Sequence, residues 1–158
     1  MASLNPTRFE IGRPMLLGGL RQYHELATAE ATLAVQWQRF KAQGQLRGQI
    51  GVNVYGVMCG HDAAGFEYMC GVEVASFADL PDGAGRMRGP AQQYAVFVHD
   101  GRAATLRATW QQIVEWLASG DYESAHAPDF EVYGPHADPV AGSGEIEVWV
   151  GVVPARSS

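Results

Sequence analysis

Glu147 and Trp149 stand two residues apart in the segment EIEVWVGVV (145–153). On a strand that spacing sends a carboxylate and an indole to the same face. A negative charge beside an aromatic surface suits a cation, because the carboxylate supplies the counter-charge and each ring face adds about 0.5–2 kcal/mol. A carboxylate buried in such a place is costly unless compensated, so it favours a cationic ligand or sits protonated with a raised pKa. Raised toward neutrality, it could instead act as a general base on water, with Tyr55 or Tyr133 supporting a departing group as a strained ring opens. Binding and hydrolysis ask for the same lining. The plain alternative for Glu147 is a strand carboxylate that is solvated or paired with an arginine.

Other chemistry is thin. There is no CxxC, HExxH, GxSxG, P-loop or GxGxxG, and the five histidines (24, 61, 99, 126 and 136) are scattered. No metal and no cofactor is expected, and the histidines, His99 included, read as turn residues. Cys59 and Cys70 flank the turn GHDAAG (60–65) without being cross-strand partners, so they read as two reduced thiols.

The elements that must hold these residues follow from periodicity. Residues 7–20 read as an extended segment in which Pro14 restricts Arg13. Residues 27–43 place Leu33, Trp37 and Phe40 at helical spacing, stop before Gly44, and offer Thr28 as a cap. Two strands follow, NVYGVMC (53–59) and FEYMCGVEV (66–74). After the Pro, Gly and Asp connector 76–91 the order recurs: a strand at 92–101, a helix at 102–119 and strands at 130–135 and 145–153.

Trp37 matches Trp110, Tyr55-Gly56 matches Tyr133-Gly134, and Gly71 matches Gly151, at offsets that grow along the chain. The expected fold is therefore α+β: duplicated strand-helix-strand-strand units, about 7–75 and 92–153, related by a pseudo-twofold in one domain spanning 1–158. Both helices should cover one face of an antiparallel sheet and leave a ligand cleft on the other. In the last strand Ile146, Val148, Val150 and Val152 form the apolar row that should meet the helices. Glu145, Glu147, Trp149 and Gly151 then line the opposite face. Alignment through the glycines makes Glu67 the mate of Glu147 and brings Tyr55 and Tyr133 toward the same cleft.

Composition limits the partners. The 158 residues carry 17 acidic and 11 basic side chains, a formal net charge of -6, with Lys41 the single lysine. That leaves no positive field for nucleic acid or an anionic membrane. The charge is also modest and unclustered, which argues against an acidic surface built to engage a nucleic-acid enzyme. No run of about 18 apolar residues exists and MASLNPTRFEIG lacks the apolar core of a signal peptide, so a soluble cytoplasmic protein is expected.

Taken in order, LLGGL, WQRF, YGV, FEYMCGVEV, YAVFVHDG, TWQQIVEWL with SGDYE, PDFEVYGP and EIEVWVGV resemble the GyrI-like, or AraC-type effector-binding, family over about residues 7 to 153. The resemblance implies the duplicated fold and a central cleft for small, often cationic and lipophilic compounds. Family members serve as effector domains of helix-turn-helix regulators, as standalone toxin-protection proteins, or as hydrolases of cyclopropane-bearing alkylators. Carried over by position, the family's central acid falls on Glu147 and its aromatic lining on Tyr55, Tyr133 and Trp149, with Tyr68 and Trp37. Gly151 departs from the proline that the family often has there. The fold starts near residue 7, so no helix-turn-helix is expected within this chain. The leading expectation is a standalone effector-binding or drug-sequestering domain; the alternative is a hydrolase using Glu147.

Overall fold

The computed structural model describes residues 5–100, 105–139 and 144–155, so 101–104 of the expected second strand and helix lie outside the described residues. The elements run β1 (Arg8–Gly12), β2 (Met15–Glu25), α1 (Ala29–Gln43), β3 (Val54–His61), β4 (Gly65–Glu73), β5 (Gly85–Gly89), β6 (Gln92–Asp100), α2 (Leu106–Ala118), β7 (Tyr122–Ser124), β8 (Asp129–Tyr133) and β9 (Glu145–Pro154). The two repeated strand-helix-strand-strand sets are β2-α1-β3-β4 and β6-α2-β8-β9. The extended segment at 7–20 is two strands, because Pro14 and the preceding Arg13 break it. The connector 76–91 is not all loop, since it contributes β5.

All pairings are antiparallel, in the order β1-β6-β9-β8-β3-β4-β2-β5, with β7 added to the end of β9. Read outward from the central β3–β8 pair, each half presents its strands in the same sequence. The leading strands cross over: β1, which precedes β2, pairs with β6, while β5, which precedes β6, pairs with β2. Only Arg13 and Pro14 separate β1 from β2, although five strands lie between them in the sheet order. Neighbouring strands are spaced about 4.8 Å apart, so a flat sheet would put β1 and β2 much farther apart than two residues can reach. The sheet therefore curls, with both helices outside the curl.

The valine row explains the helix side. Ile146, Val148, Val150 and Val152 are at most 1% exposed and pack with Trp37 and Phe40 of α1 and Leu106 and Ile113 of α2. Burying each branched side chain contributes about 1.5–3 kcal/mol. A second cluster fills the inside of the curl, where Leu17, Tyr55, Val57, Met69, Tyr94, Val96 and Phe130 meet.

Two local expectations are corrected. Thr28 makes no side-chain cap bond; instead its carbonyl accepts from the Thr32 amide at 3.1 Å. His24 and His99 are buried strand residues, not turn residues: His24 Nδ1 lies 2.6 Å from Thr32 Oγ1 on α1, and His99 Nδ1 lies 2.7 Å from Thr109 Oγ1 on α2. The first strand of each half is thus tied to its own helix. Cys59 and Cys70 are both free thiols. No helix among the described residues is long and apolar enough to cross a membrane.

Candidate functional site

The residues expected to share one cleft are divided between the two sides of the sheet. Cross-strand partners share a face, and β3, β8 and β9 place Tyr55, Val132 and Glu147 in one row. Tyr133 is opposite Val54 and Ile146, so it points the other way, toward the helices, as do Tyr68 and Trp37. The expectation of a single cleft is therefore corrected: Tyr133, Tyr68 and Trp37 lie on the helix side, and Tyr55, Trp149 and Glu147 lie inside the curl. Tyr133 is accordingly no partner for Glu147 in a catalytic step. Glu67 reaches neither group, because it pairs with Arg21 at the end of β4.

On the helix side the tyrosines converge on a carboxylate that the sequence reading did not nominate. Glu131, in the middle of β8, is 5% exposed. Its Oε1 accepts from the hydroxyls of Tyr68 at 2.6 Å and Tyr133 at 2.9 Å, and its Oε2 accepts from Trp110 Nε1 at 2.8 Å. Trp37 packs edge-on against both tyrosines, with ring centroids 6.1 Å and 5.1 Å away. Each half thus contributes one helix tryptophan and one strand tyrosine to the cluster around this acid, Trp37 through its packing on the tyrosines.

Backbone geometry makes the convergence possible. Gly56 is the cross-strand partner of Glu131, and a Cβ there would collide with the Tyr68 hydroxyl and lie 2.6 Å from Glu131 Oε1. Burial pushes the Glu131 carboxyl above the usual range, against the opposing pull of its hydrogen bonds from Tyr68, Trp110 and Tyr133. Burial, together with the Glu131 charge, also raises Tyr68 and Tyr133 well above the ordinary tyrosine value. All three hydrogen-bond donors to this buried acid are neutral.

The signal for Glu131 was present, since Glu131 and Tyr133 show the same acid-x-aromatic spacing as Glu147 and Trp149. The glycine alignment of Tyr55 with Tyr133 obscured it, because an odd slip in register moves a side chain to the other face.

Inside the curl a cleft of about 420 Å³ is lined by Tyr55, Tyr94, Phe130, Val132, Glu147 and Trp149, with the β1–β2 link forming its wall. Phe130 and Trp149 are stacked, with centroids 5.6 Å apart and planes at 19°. Glu147 is already compensated: Arg8 Nη1 lies 2.9 Å from Oε2 and Trp149 Nε1 donates to Oε1 at 3.1 Å. Burial pushes its carboxyl up, but the hydrogen bonds from Arg8 and Trp149 outweigh this and hold it below the usual range. The raised carboxyl expected at Glu147 is found at Glu131 instead. At the rim Arg13 makes a two-bond contact to the buried Glu73, with Nη2 2.7 Å from Oε1.

Comparison with known proteins agrees with this architecture. A relative from Pseudomonas aeruginosa, the transcriptional regulator BrlR, is 33% identical over 105 residues, which are 65% of this chain and 39% of that protein. The chain thus spans about two-fifths of the length of this curated relative. Among solved structures, SAV2435 bound to tetraphenylphosphonium superposes with a TM-score of 0.74 at 19% identity, covering 92% of this chain and 93% of that one. An integron cassette protein from the mobile metagenome of Vibrio cholerae gives a TM-score of 0.68 at 16% identity over 96% and 98% of the two chains. The EcmrR C-terminal domain gives 0.65 at 11% identity over 94% and 97%. These structures share the fold of a GyrI-like effector-binding domain. The model of the Cass2 family, integron-associated effector binding protein, matches residues 19–152, and the chain belongs to that family.

Proposed function

We propose that this effector-binding domain takes up a lipophilic, aromatic cation at Glu131, between the indoles of Trp37 and Trp110 and against Tyr68 and Tyr133. The observation that carries the reading is a 5% exposed carboxylate whose three hydrogen-bond donors are all neutral. Ionised in that place, it is held directly by neutral donors, with His99 the further group that acts on it by charge, and a cation in contact would add a direct opposite charge. The surrounding rings present faces and edges to the same ligand. A cation approaching between α1 and α2 would take the place of the Trp110 N–H at Oε2. The SAV2435 structure, which shares the fold, contains tetraphenylphosphonium, an aromatic cation of this class.

Calorimetric titration with tetraphenylphosphonium tests the reading. Wild type should bind, and Glu131→Gln, which keeps the shape and removes the charge, should weaken binding by at least tenfold. Glu147→Gln should leave it within about twofold. A reversed ranking of these two variants would move the cation site to the inside of the curl.

Hydrolysis of a strained electrophilic ring is the second reading, and the raised Glu131 carboxyl favours it over Glu147 as the base. Incubation with a cyclopropane alkylator followed by mass spectrometry separates the two. A water adduct formed by wild type and not by Glu131→Gln supports catalysis, and unchanged substrate supports binding alone.

A further inference from the structure

From the cleft inside the curl we infer a second small-molecule site, on the opposite side of the sheet from Glu131, that takes flat, uncharged aromatic molecules carrying a hydrogen-bond acceptor. Its volume of about 420 Å³ lies within the range of small-molecule sites. Its aromatic wall is Trp149, which is stacked on the buried Phe130 and has the Arg8 guanidinium over its ring at 5.8 Å from the centroid, while Tyr55 and Tyr94 stand edge-on to Phe130.

Charge decides the ligand class. Glu147 is held by Arg8 and Trp149, and Arg13 is held in two bonds by Glu73. A cation would have to displace the Arg8 guanidinium at 2.9 Å, and an anion would have to draw Arg13 off a buried carboxylate while meeting Glu147. Either exchange leaves a charge uncompensated in a partly desolvated cleft. A neutral molecule requires neither.

Tyr94 offers the ligand a polar group. Tyr94 is 2% exposed and lines the cleft, and its hydroxyl has no hydrogen-bond partner among the described residues. Among the described residues no fully buried side-chain oxygen or nitrogen lacks a partner, so the Tyr94 hydroxyl keeps some exposure. It can donate to a carbonyl or ring acceptor on a molecule held in the cleft beside Trp149. Tyr55 and Asn53 line the same cleft and can add a hydroxyl and an amide.

Flavone is the probe: flat, uncharged at all working pH values, and bearing one carbonyl acceptor. Titration followed by calorimetry should give saturable binding to wild type. Tyr94→Phe, which removes only the hydroxyl, should weaken it about fivefold, the value of one neutral hydrogen bond. Trp149→Ala should weaken it by at least tenfold, and saturating tetraphenylphosphonium should not displace flavone. The inference is overturned if flavone does not bind, if Tyr94→Phe binds it as wild type does, or if the phosphonium displaces it. These outcomes are independent of whether Glu131 binds the cation, so the two proposals can fail separately.

Discussion

Replacing Trp110 by Phe isolates the hydrogen bond that joins α2 to Glu131. Phe keeps an aromatic ring at the position and removes the Nε1–H that stands 2.8 Å from Glu131 Oε2. Burial raises the Glu131 carboxyl in the folded state above its unfolded value. The stability associated with this group is therefore complete below the unfolded pKa and is lost as pH rises through the folded one. The indole N–H favours the ionised form, so it limits that loss, and removing it lifts the folded value further. At pH 4.5 the variant should lose about 1–2 kcal/mol, from the smaller ring and one neutral hydrogen bond. As pH rises through the raised folded value, where the lost bond becomes one to a charge, the deficit should grow by roughly another 1–2 kcal/mol. Each kcal/mol corresponds to about 2–4 °C in Tm for a chain of this size. Urea unfolding followed by far-UV circular dichroism at several pH values avoids the fluorescence of the deleted indole. In a Glu131→Gln background the pH-dependent part should vanish. A deficit that stays constant as pH rises through the folded Glu131 value, or one that still grows with pH in that background, would refute the assignment of the bond.

Two further outcomes follow from the same strands. Gly56→Ala forces Tyr68 and Glu131 apart, since its Cβ would stand 2.6 Å from Glu131 Oε1, and should cost about 2–3 kcal/mol; a Tm matching wild type would show that the cluster yields freely. Asp129 accepts from the Gly151 amide at 2.9 Å, yet burial pushes its carboxyl up from 3.8 to about 6. A raised folded pKa means that stability is complete below about 4 and lost as pH rises through about 6. Asp129→Asn keeps an acceptor and removes the charge, so it should gain roughly 1–2 kcal/mol above pH 7 and nothing at pH 4. Equal gains at both pH values would count against burial as the cause.

Where alternation is long, the sequence was readable. The row from Ile146 to Val152 faces the helices as expected, and α1 and α2 lie within a few residues of their expected spans, because heptad-like apolar spacing leaves few other solutions. Short strands were not readable. β5 has five residues and β7 has three, so neither shows a period against a background of Gly and Ser. Glu131 was missed because β8 alternates like an ordinary amphipathic strand, with Phe130 and Val132 in the inward row and Asp129 and Glu131 in the other. Acids in such a row read as a solvated face. The rule that selected Glu147 beside Trp149 applied equally to Glu131 beside Tyr133, and only the cross-strand register separates a carboxylate with an arginine partner from one without.

The crossing of the leading strands bears on how such a fold could have been built and taken apart. Phe9 of β1 lies against Ala95, and Leu17 of β2 lies against Met87, so each half has its outer edge covered by the strand that leads into the other. Cut at the connector, either half would present a bare strand edge, a template for pairing with another chain. A single ancestral half could have covered that edge by trading its first strand with a second copy of itself. In these terms the present chain resembles a strand-swapped pair on one backbone, and the curl that encloses the inner cleft is the form the exchange takes there.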